Sequence, residues 1–336
     1  MDVKASATSL PPAAAILRDK TVVSVASELV KARLTLLVVL TTSVGFYSGS
    51  GTPVDFGLLV HATWGTALLA AGASVLNQLM ERDYDALMRR TADRPLPSGR
   101  VSPTTALALG TLLSVTGMAW LLIAVNPLTA LLGAVTLVSY VFCYTPLKRI
   151  TVLNTVVGAV PGALPPLMGW TAATDSLSAP GWTLFGVLFF WQLPHFMAIA
   201  WLYRDDYSGA GFKMLSGVDP DGRRTAASAV RNTLALLLVS LFPFVFGIAG
   251  RWYLAGAVLM GAGFLGMSVS FARNLSPAAA RRLFFASILY LPLLLGLLVG
   301  DKPSRKLTSQ VVPPLASPPA GVAAASGPAS LLNPLP

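Results

Sequence analysis

The sequence predicts an all-α polytopic membrane bundle of about nine transmembrane helices. Three observations lead there. Of 336 residues, 54% are hydrophobic and only 11% charged, with a mean hydropathy of +0.67, too apolar for an ordinary soluble enzyme. Apolar runs long enough to span about 30 Å of hydrocarbon recur along the chain. Lysine and arginine alternate loop by loop, as positive-inside topology requires.

The expected spans are 31–49, 57–80, 104–124, 127–146, 151–171, 182–202, 225–249, 252–272 and 283–300. The first opens with Lys31 and Arg33, and the second runs into the charged stretch that starts at Asn77. The fourth and fifth are separated by a short turn bearing Lys148 and Arg149. Pro161, Pro165 and Pro166 should bend the fifth and free backbone carbonyls. The sixth ends at the acidic pair Asp205 and Asp206. The seventh contains Arg231, and the last two are joined by a loop assigned Arg281 and Arg282. Residues 1–29 read as a cytoplasmic lead-in, in which Asp2, Asp19 and Glu28 argue against a transit peptide. The transmembrane domain covers 30–300. Residues 301–336, rich in Pro, Ala and Ser, read as a disordered tail.

The net charge of +10 is explained by topology, so nucleic acid is not an expected partner. All 24 Lys and Arg except Arg231, Arg251, Lys302, Arg305 and Lys306 fall on one face if the N-terminus is cytoplasmic, which places the C-terminus outside. The single cysteine, Cys143, excludes an intramolecular disulfide and a multi-cysteine metal site and reads as apolar filling. His61 lies among small residues and is assigned no role.

The most informative stretch is NQLMERDYDALMRRTADRPLPSGR, residues 77–100. Asn77, Glu81 and Asp85 fall at i, i+4 and i+8, within about 80° of one another on a helix, while Asp83 points to the opposite side. Charges at a span end are costly, and this stripe supplies hard oxygen ligands for Mg²⁺. Arg89, Arg90, Arg94 and Arg100 follow at once and offer forks for phosphate, although topology alone also calls for arginines here. A second polar loop, WQLPHFMAIAWLYRDDYSGAGFKML at 191–215, brings Asp205, Asp206 and Lys213 to the same face, four spans later. Together the loops predict a magnesium–diphosphate site. Asn77, Glu81 and Asp85, with an acid of the second loop, Asp205 or Asp206, would hold the metal. Arg89, Arg90, Arg94, Tyr144, Lys148, Asn154, His195, Asp205 and Lys213 would bind substrate.

A lipid-like allylic diphosphate fits such a site, since resonance makes its ionisation feasible and an apolar cavity suits its tail. A secondary transporter is the competitor from another class, because polar helix ends and proline-broken spans also mark transport sites. Its acids would more naturally lie near the bilayer midplane than flank one side.

With YTPLKRITVLNTVVGAVPGALPPLMGW at 144–170 added, the three motifs resemble, in order, the UbiA family of intramembrane prenyltransferases, over roughly residues 25–300. The resemblance implies nine helices around a cavity opening near the cytoplasmic face of a bacterial inner membrane, with Mg²⁺ and prenyl diphosphate at that end, and Asn77, Glu81, Asp85 and Asp206 as the metal and catalytic set. Tyr203 stands where other branches often carry an acid, and Glu81 where many relatives have Asp. With His195 in the PHF sequence, Tyr203 fits the haem-modifying branch. That branch implies farnesyl transfer from farnesyl diphosphate to a vinyl group of haem B with addition of water, giving haem O. It also implies a haem A synthase or oxidase-assembly partner. Another UbiA-type aromatic or tetrapyrrole acceptor is the nearer alternative.

Overall fold

The computed structural model describes residues 20–303; most of the 1–29 lead-in and nearly all of the 301–336 tail lie outside them. Among the described residues nine helices are long and apolar enough to cross a membrane, and no strand forms. They are α1 (Ala32–Gly49), α2 (Phe56–Asp85), α3 (Pro103–Ala124), α4 (Pro127–Leu147), α5 (Asn154–Thr174), α6 (Ala179–Leu202), α7 (Arg223–Val245), α8 (Arg251–Asn274) and α9 (Pro277–Gly300). The protein is therefore a multi-pass, all-helical membrane protein.

Three boundaries differ from the sequence expectation for local reasons. Helix α2 continues to Asp85, so the whole oxygen-bearing stripe is helical. Helix α9 begins at Pro277 rather than at 283, because Ser276 caps it by accepting from the Ala279 amide at 3.2 Å, with proline in its first turn. Arg281 and Arg282 are thus on the helix, not in a loop. Helix α7 breaks after Val239, resumes at Phe242–Val245 and stops there, with Pro243 offering no amide to continue it. The prolines of α5 sit inside one uninterrupted helix. Cys143 is exposed on α4, so it does not fill the interior as expected.

Close helix approach depends on small residues, as expected where hydrocarbon gives no net drive to associate. A Cβ on Gly45 of α1 would lie 1.9 Å from the Pro166 carbonyl oxygen of α5, and one on Gly169 would lie 1.9 Å from that of Thr42. The two backbones are in contact at both points. Helix α6 is the pivot of the largest core, in which Trp191, Tyr253, Phe264, Tyr290 and Leu294 pack between α6, α8 and α9. Helices α1, α2, α4, α5 and α6 instead enclose a cavity.

Positive charge on the face opposite the basic loops has a structural use. The Lys302 ammonium donates to the carbonyls of Tyr47 and Ser50, the latter at 2.7 Å, and lies 4.4 Å from the Tyr47 ring centroid. Asp301 beside it accepts from the Tyr253 amide at 2.8 Å. The end of α9 is thereby tied to both α1 and α8.

Gly169→Ala should lower stability in detergent by about 1–3 kcal/mol or more, because neither backbone can yield easily. Gly263→Ala, whose Cβ meets nothing within 4 Å, should leave melting unchanged. Thermal unfolding of the two variants side by side checks this.

Candidate active site

The last turns of α2 carry Asn77, Glu81 and Asp85, which are only 0%, 5% and 1% exposed. At 1.5 Å per residue they cover about 12 Å of helix. Buried oxygens at this density need partners, and each has a cation. Lys31 Nζ donates to Asn77 Oδ1 at 2.6 Å. Lys148 Nζ lies 2.7 Å from Glu81 Oε1 in a buried ion pair. Arg94 Nη1 donates to Asp85 Oδ2 at 2.7 Å. Asp83, on the far side as predicted, pairs with Arg82 at the surface.

The three cations come from three segments. Lys31 lies between a short helix, Val22–Leu29, and α1, in left-handed backbone with φ of 48°. Few L-residues adopt that conformation without support. Here Gln78 supplies it, donating through Nε2 to the carbonyls of Glu28 (3.1 Å) and Leu29 (2.6 Å). Arg94 belongs to the loop after α2, which Asp93 fastens through Arg100 at 2.7 Å and Lys20 at 3.0 Å. Lys148 follows α4, whose residues Ser139–Tyr144 form a π-helical turn. That turn stacks Tyr140 on Tyr144 at 5.6 Å, and Lys148 Nζ sits 4.5 Å from the Tyr144 ring. Burial works against the Lys148 charge, but the Glu81 carboxylate outweighs it and holds the ammonium above the ordinary lysine range. Lys31 faces an amide and the Tyr140 hydroxyl at 3.4 Å. Burial, reinforced by Arg94, pulls it down to about 7.

Above this polar end stands the cavity, about 400 Å³, within the range for ligand sites of about 300–1,000 Å³. Lys31, Arg90, Tyr140, Tyr144 and Lys148 line its polar part, while Leu69, Val38, Pro165 and Met168 are among its apolar walls. The two loops predicted to share a face meet at its mouth. Arg90 donates to the Tyr207 hydroxyl at 3.1 Å and lies 5.3 Å from the Tyr203 ring. Beneath them Met88, Ala200, Ala210, Phe212 and Met214 form a small core joining both loops.

Other predicted residues are placed differently. Asn154 lines the cavity, yet its amide is committed to the carbonyls of Thr151 (2.6 Å) and Lys213 (2.7 Å). Lys213 contributes backbone, its amide donating to the Lys148 carbonyl at 2.7 Å, and its side chain is exposed. Arg89 is exposed too, and Asp205 is 97% exposed beside Arg204. Asp206 is half-buried and its carboxylate has no partner among the described residues. His195 points from α6 to α9: its Nδ1 meets Ser287 Oγ at 2.7 Å, and its ring stacks between Trp191 and Phe284. Since the Ser287 hydroxyl donates to the Phe284 carbonyl, His195 Nδ1 is the donor.

Lys31, Gln78, Tyr140, Gln192 and Tyr207 are the site's unanticipated residues. A lone lysine at the start of an apolar run was the available signal for Lys31; it reads equally as a topology charge.

Among the described residues no three His, Cys, Asp or Glu side chains gather into a metal-binding group. The donors present still suit Mg²⁺, which takes one or two carboxylates and completes its shell with water and phosphate oxygens. Glu81 and Asp85, the two buried carboxylates of the stripe, would be its protein ligands, with Lys148 and Arg94 giving way.

Replacing Lys148 by Met strands the buried Glu81 carboxylate and should cost about 3–5 kcal/mol, whereas the Glu81→Gln/Lys148→Met pair should recover a large part. A double-mutant cycle on detergent melting measures the coupling.

Residues 38–289 match the UbiA prenyltransferase family. The protoheme IX farnesyltransferase of Solibacter usitatus is 46% identical over 285 residues, covering 82% of this chain and 98% of that protein. The mitochondrial protoheme IX farnesyltransferase of Arabidopsis thaliana is 41% identical, covering 85% and 66%. Among solved structures, a digeranylgeranylglyceryl phosphate synthase superposes with a TM-score of 0.71 at 15% identity, covering 83% of this chain and 98% of that one. A UbiA homolog from Archaeoglobus fulgidus bound to GPP and Mg²⁺ does so with 0.58 at 17%, covering 82% and 99%. Fold and sequence agree: the chain belongs to the UbiA prenyltransferase family and is a membrane prenyltransferase.

Proposed function

We propose that the protein transfers farnesyl from farnesyl diphosphate to a vinyl group of haem B, with addition of water, giving haem O and diphosphate. The observation that carries this reading is the three buried oxygen–cation pairs, of which Lys31 and Lys148 line one end of a largely apolar cavity. The acceptor is supported by the relatives' name, protoheme IX farnesyltransferase, shared at 41–47% identity.

In this reading Glu81 and Asp85 hold Mg²⁺, with Asn77 and the second-loop Asp206 as further oxygens, and the ion supplies charge that stabilises the leaving diphosphate. Lys31, Lys148 and Arg94 exchange their present partners for phosphate oxygens, and Arg90 joins them from the cavity mouth. The C1–oxygen bond of the donor breaks with its electron pair leaving on diphosphate, and the terminal vinyl carbon attacks C1. Tyr140 and Tyr144, which line the cavity at that end, would put aromatic rings beside the developing allylic cation. The apolar wall keeps other water away until the bond has formed. His195, held against α9, is left out of the acceptor site.

Acids grouped at span ends, rather than at the midplane, favour this reading over transport. The basic face is then cytoplasmic in a bacterial inner membrane, and haem O passes to a haem A synthase or oxidase-assembly partner. Reporters fused in loops 86–102 and 203–222 should both read inside.

The purified protein with haem B and farnesyl diphosphate should form hydroxyethylfarnesyl haem only when Mg²⁺ is present, as followed by chromatography and mass. Diphosphate release onto a different acceptor would remove haem from the assignment. Asp85→Asn should slow turnover by about 10²–10³-fold, the scale of one lost electrostatic stabiliser, while membrane insertion persists. Near-normal turnover would take Asp85 out of the site.

A further inference from the structure

A buried amide stands among the apolar residues of the cavity wall. Gln192 of α6 is 6% exposed and lines the wall with Gly158, Pro161, Gly162 and Pro165. An amide at this depth is costly in hydrocarbon unless it is used. Its nitrogen end is fixed, because Nε2 donates to the carbonyls of Leu188 (3.0 Å) and Ala159 (3.4 Å), and only a donor satisfies them. Its oxygen end accepts no hydrogen bond among the described residues. The opposing wall is cut back to admit that oxygen: a Cβ on Gly162 would lie 2.0 Å from Oε1.

The position along the cavity matters. Gly158 packs on the Tyr144 ring, over which Lys148 sits at 4.5 Å. Gly162 and Gln192 lie one helical turn further in, about 6 Å. Gln192 therefore lines the cavity about one helical turn inward of its cationic end.

We propose that Gln192 Oε1 positions the water that completes the reaction, an inference that rests on the haem-farnesylating reading above. When the terminal vinyl carbon bonds to C1, the carbon next to the macrocycle is left with an empty orbital. A water held by Gln192 donates a lone pair to it, forming the C–O bond, and its surplus proton passes to the released diphosphate. Without that water the same cation loses a proton from the adjacent methylene and becomes an alkene, lighter than the hydrated product by one water.

The test is the ratio of hydrated to alkene product, by mass, for wild type, Gln192→Met, Gln192→Glu and Gly162→Ala. Methionine keeps the length and removes the acceptor, so the alkene share should rise about tenfold, the scale of one hydrogen bond to a polar group. Glutamic acid, neutral in this setting, keeps an acceptor and should restore the wild-type ratio. Alanine at 162 leaves Gln192 in place but displaces its oxygen, and should move the ratio as methionine does. An unchanged ratio in Gln192→Met, whatever the total rate, overturns the proposal. If that variant does not fold, an unchanged ratio in Gly162→Ala does so. A wild type that makes no farnesylated haem would instead sink the reaction reading, and this inference with it, before any variant is compared.

Discussion

Burying two carboxylates and an amide on the last turns of one membrane helix is the constraint from which the rest of the site follows. An unpaired charge there costs several kcal/mol, so a cation has to reach each oxygen. Asn77, Glu81 and Asp85 are served by Lys31, Lys148 and Arg94, which come from the segment before α1, the end of α4 and the loop after α2. Four separate pieces of chain are therefore fixed relative to one another by short polar contacts. The supporting features serve those contacts. Gln78 holds the left-handed corner that aims Lys31, Asp93 fastens the loop that carries Arg94, and Lys213 backbone braces Lys148.

The cavity is the apolar counterpart of that arrangement. Glycine contacts bring α1 against α5 with no room for a Cβ, which fixes two of its walls. On α4 the regular helix gives way to a π-helical turn, a feature that recurs at functional sites because it re-aims the side chains on either side. Here it places Tyr140 and Tyr144 in one stack above Lys148, so the polar end and the aromatic wall arise from the same local distortion. Helices α7 to α9 take no part in the wall; they pack behind α6 and carry much of the core.

Much of this was legible in the sequence because it depends on local pattern. Span lengths follow from apolar run length, and the Asn77–Glu81–Asp85 stripe follows from helical periodicity. The two loops' shared face follows from counting spans, and the Arg90–Tyr207 contact is its structural form. What could not be read was which basic residue pairs with which oxygen. Lys31 and Lys213 look alike in sequence, both being lysines on the basic face. One reaches the stripe because a left-handed corner turns it inward, while the other leaves its side chain outside and contributes only backbone. His195 was misleading for the same reason. Its neighbours in sequence line the cavity at Gln192 and Phe196, but helical geometry turns the imidazole toward Ser287. Asp206 remains apart from the first stripe in the structure: it lies on the short helix Arg204–Gly209, half-buried and without a partner among the described residues.

The three pairs are not equivalent, and the difference bears on how an anion would be received. Lys148 and Arg94 each face a full carboxylate, so adding phosphate to either must first compensate the acid it leaves. Lys31 faces only neutral groups, the Asn77 amide oxygen and the Tyr140 hydroxyl. A phosphate oxygen that replaces them gives it a charged partner for the first time and strands no acid. Charge-assisted bonds of this kind are roughly twice as strong as bonds to neutral acceptors. The lysine that sequence treats as a topology marker is thus the cation with the most to gain from an anionic ligand. The corner that holds it in left-handed backbone would accordingly serve that binding too.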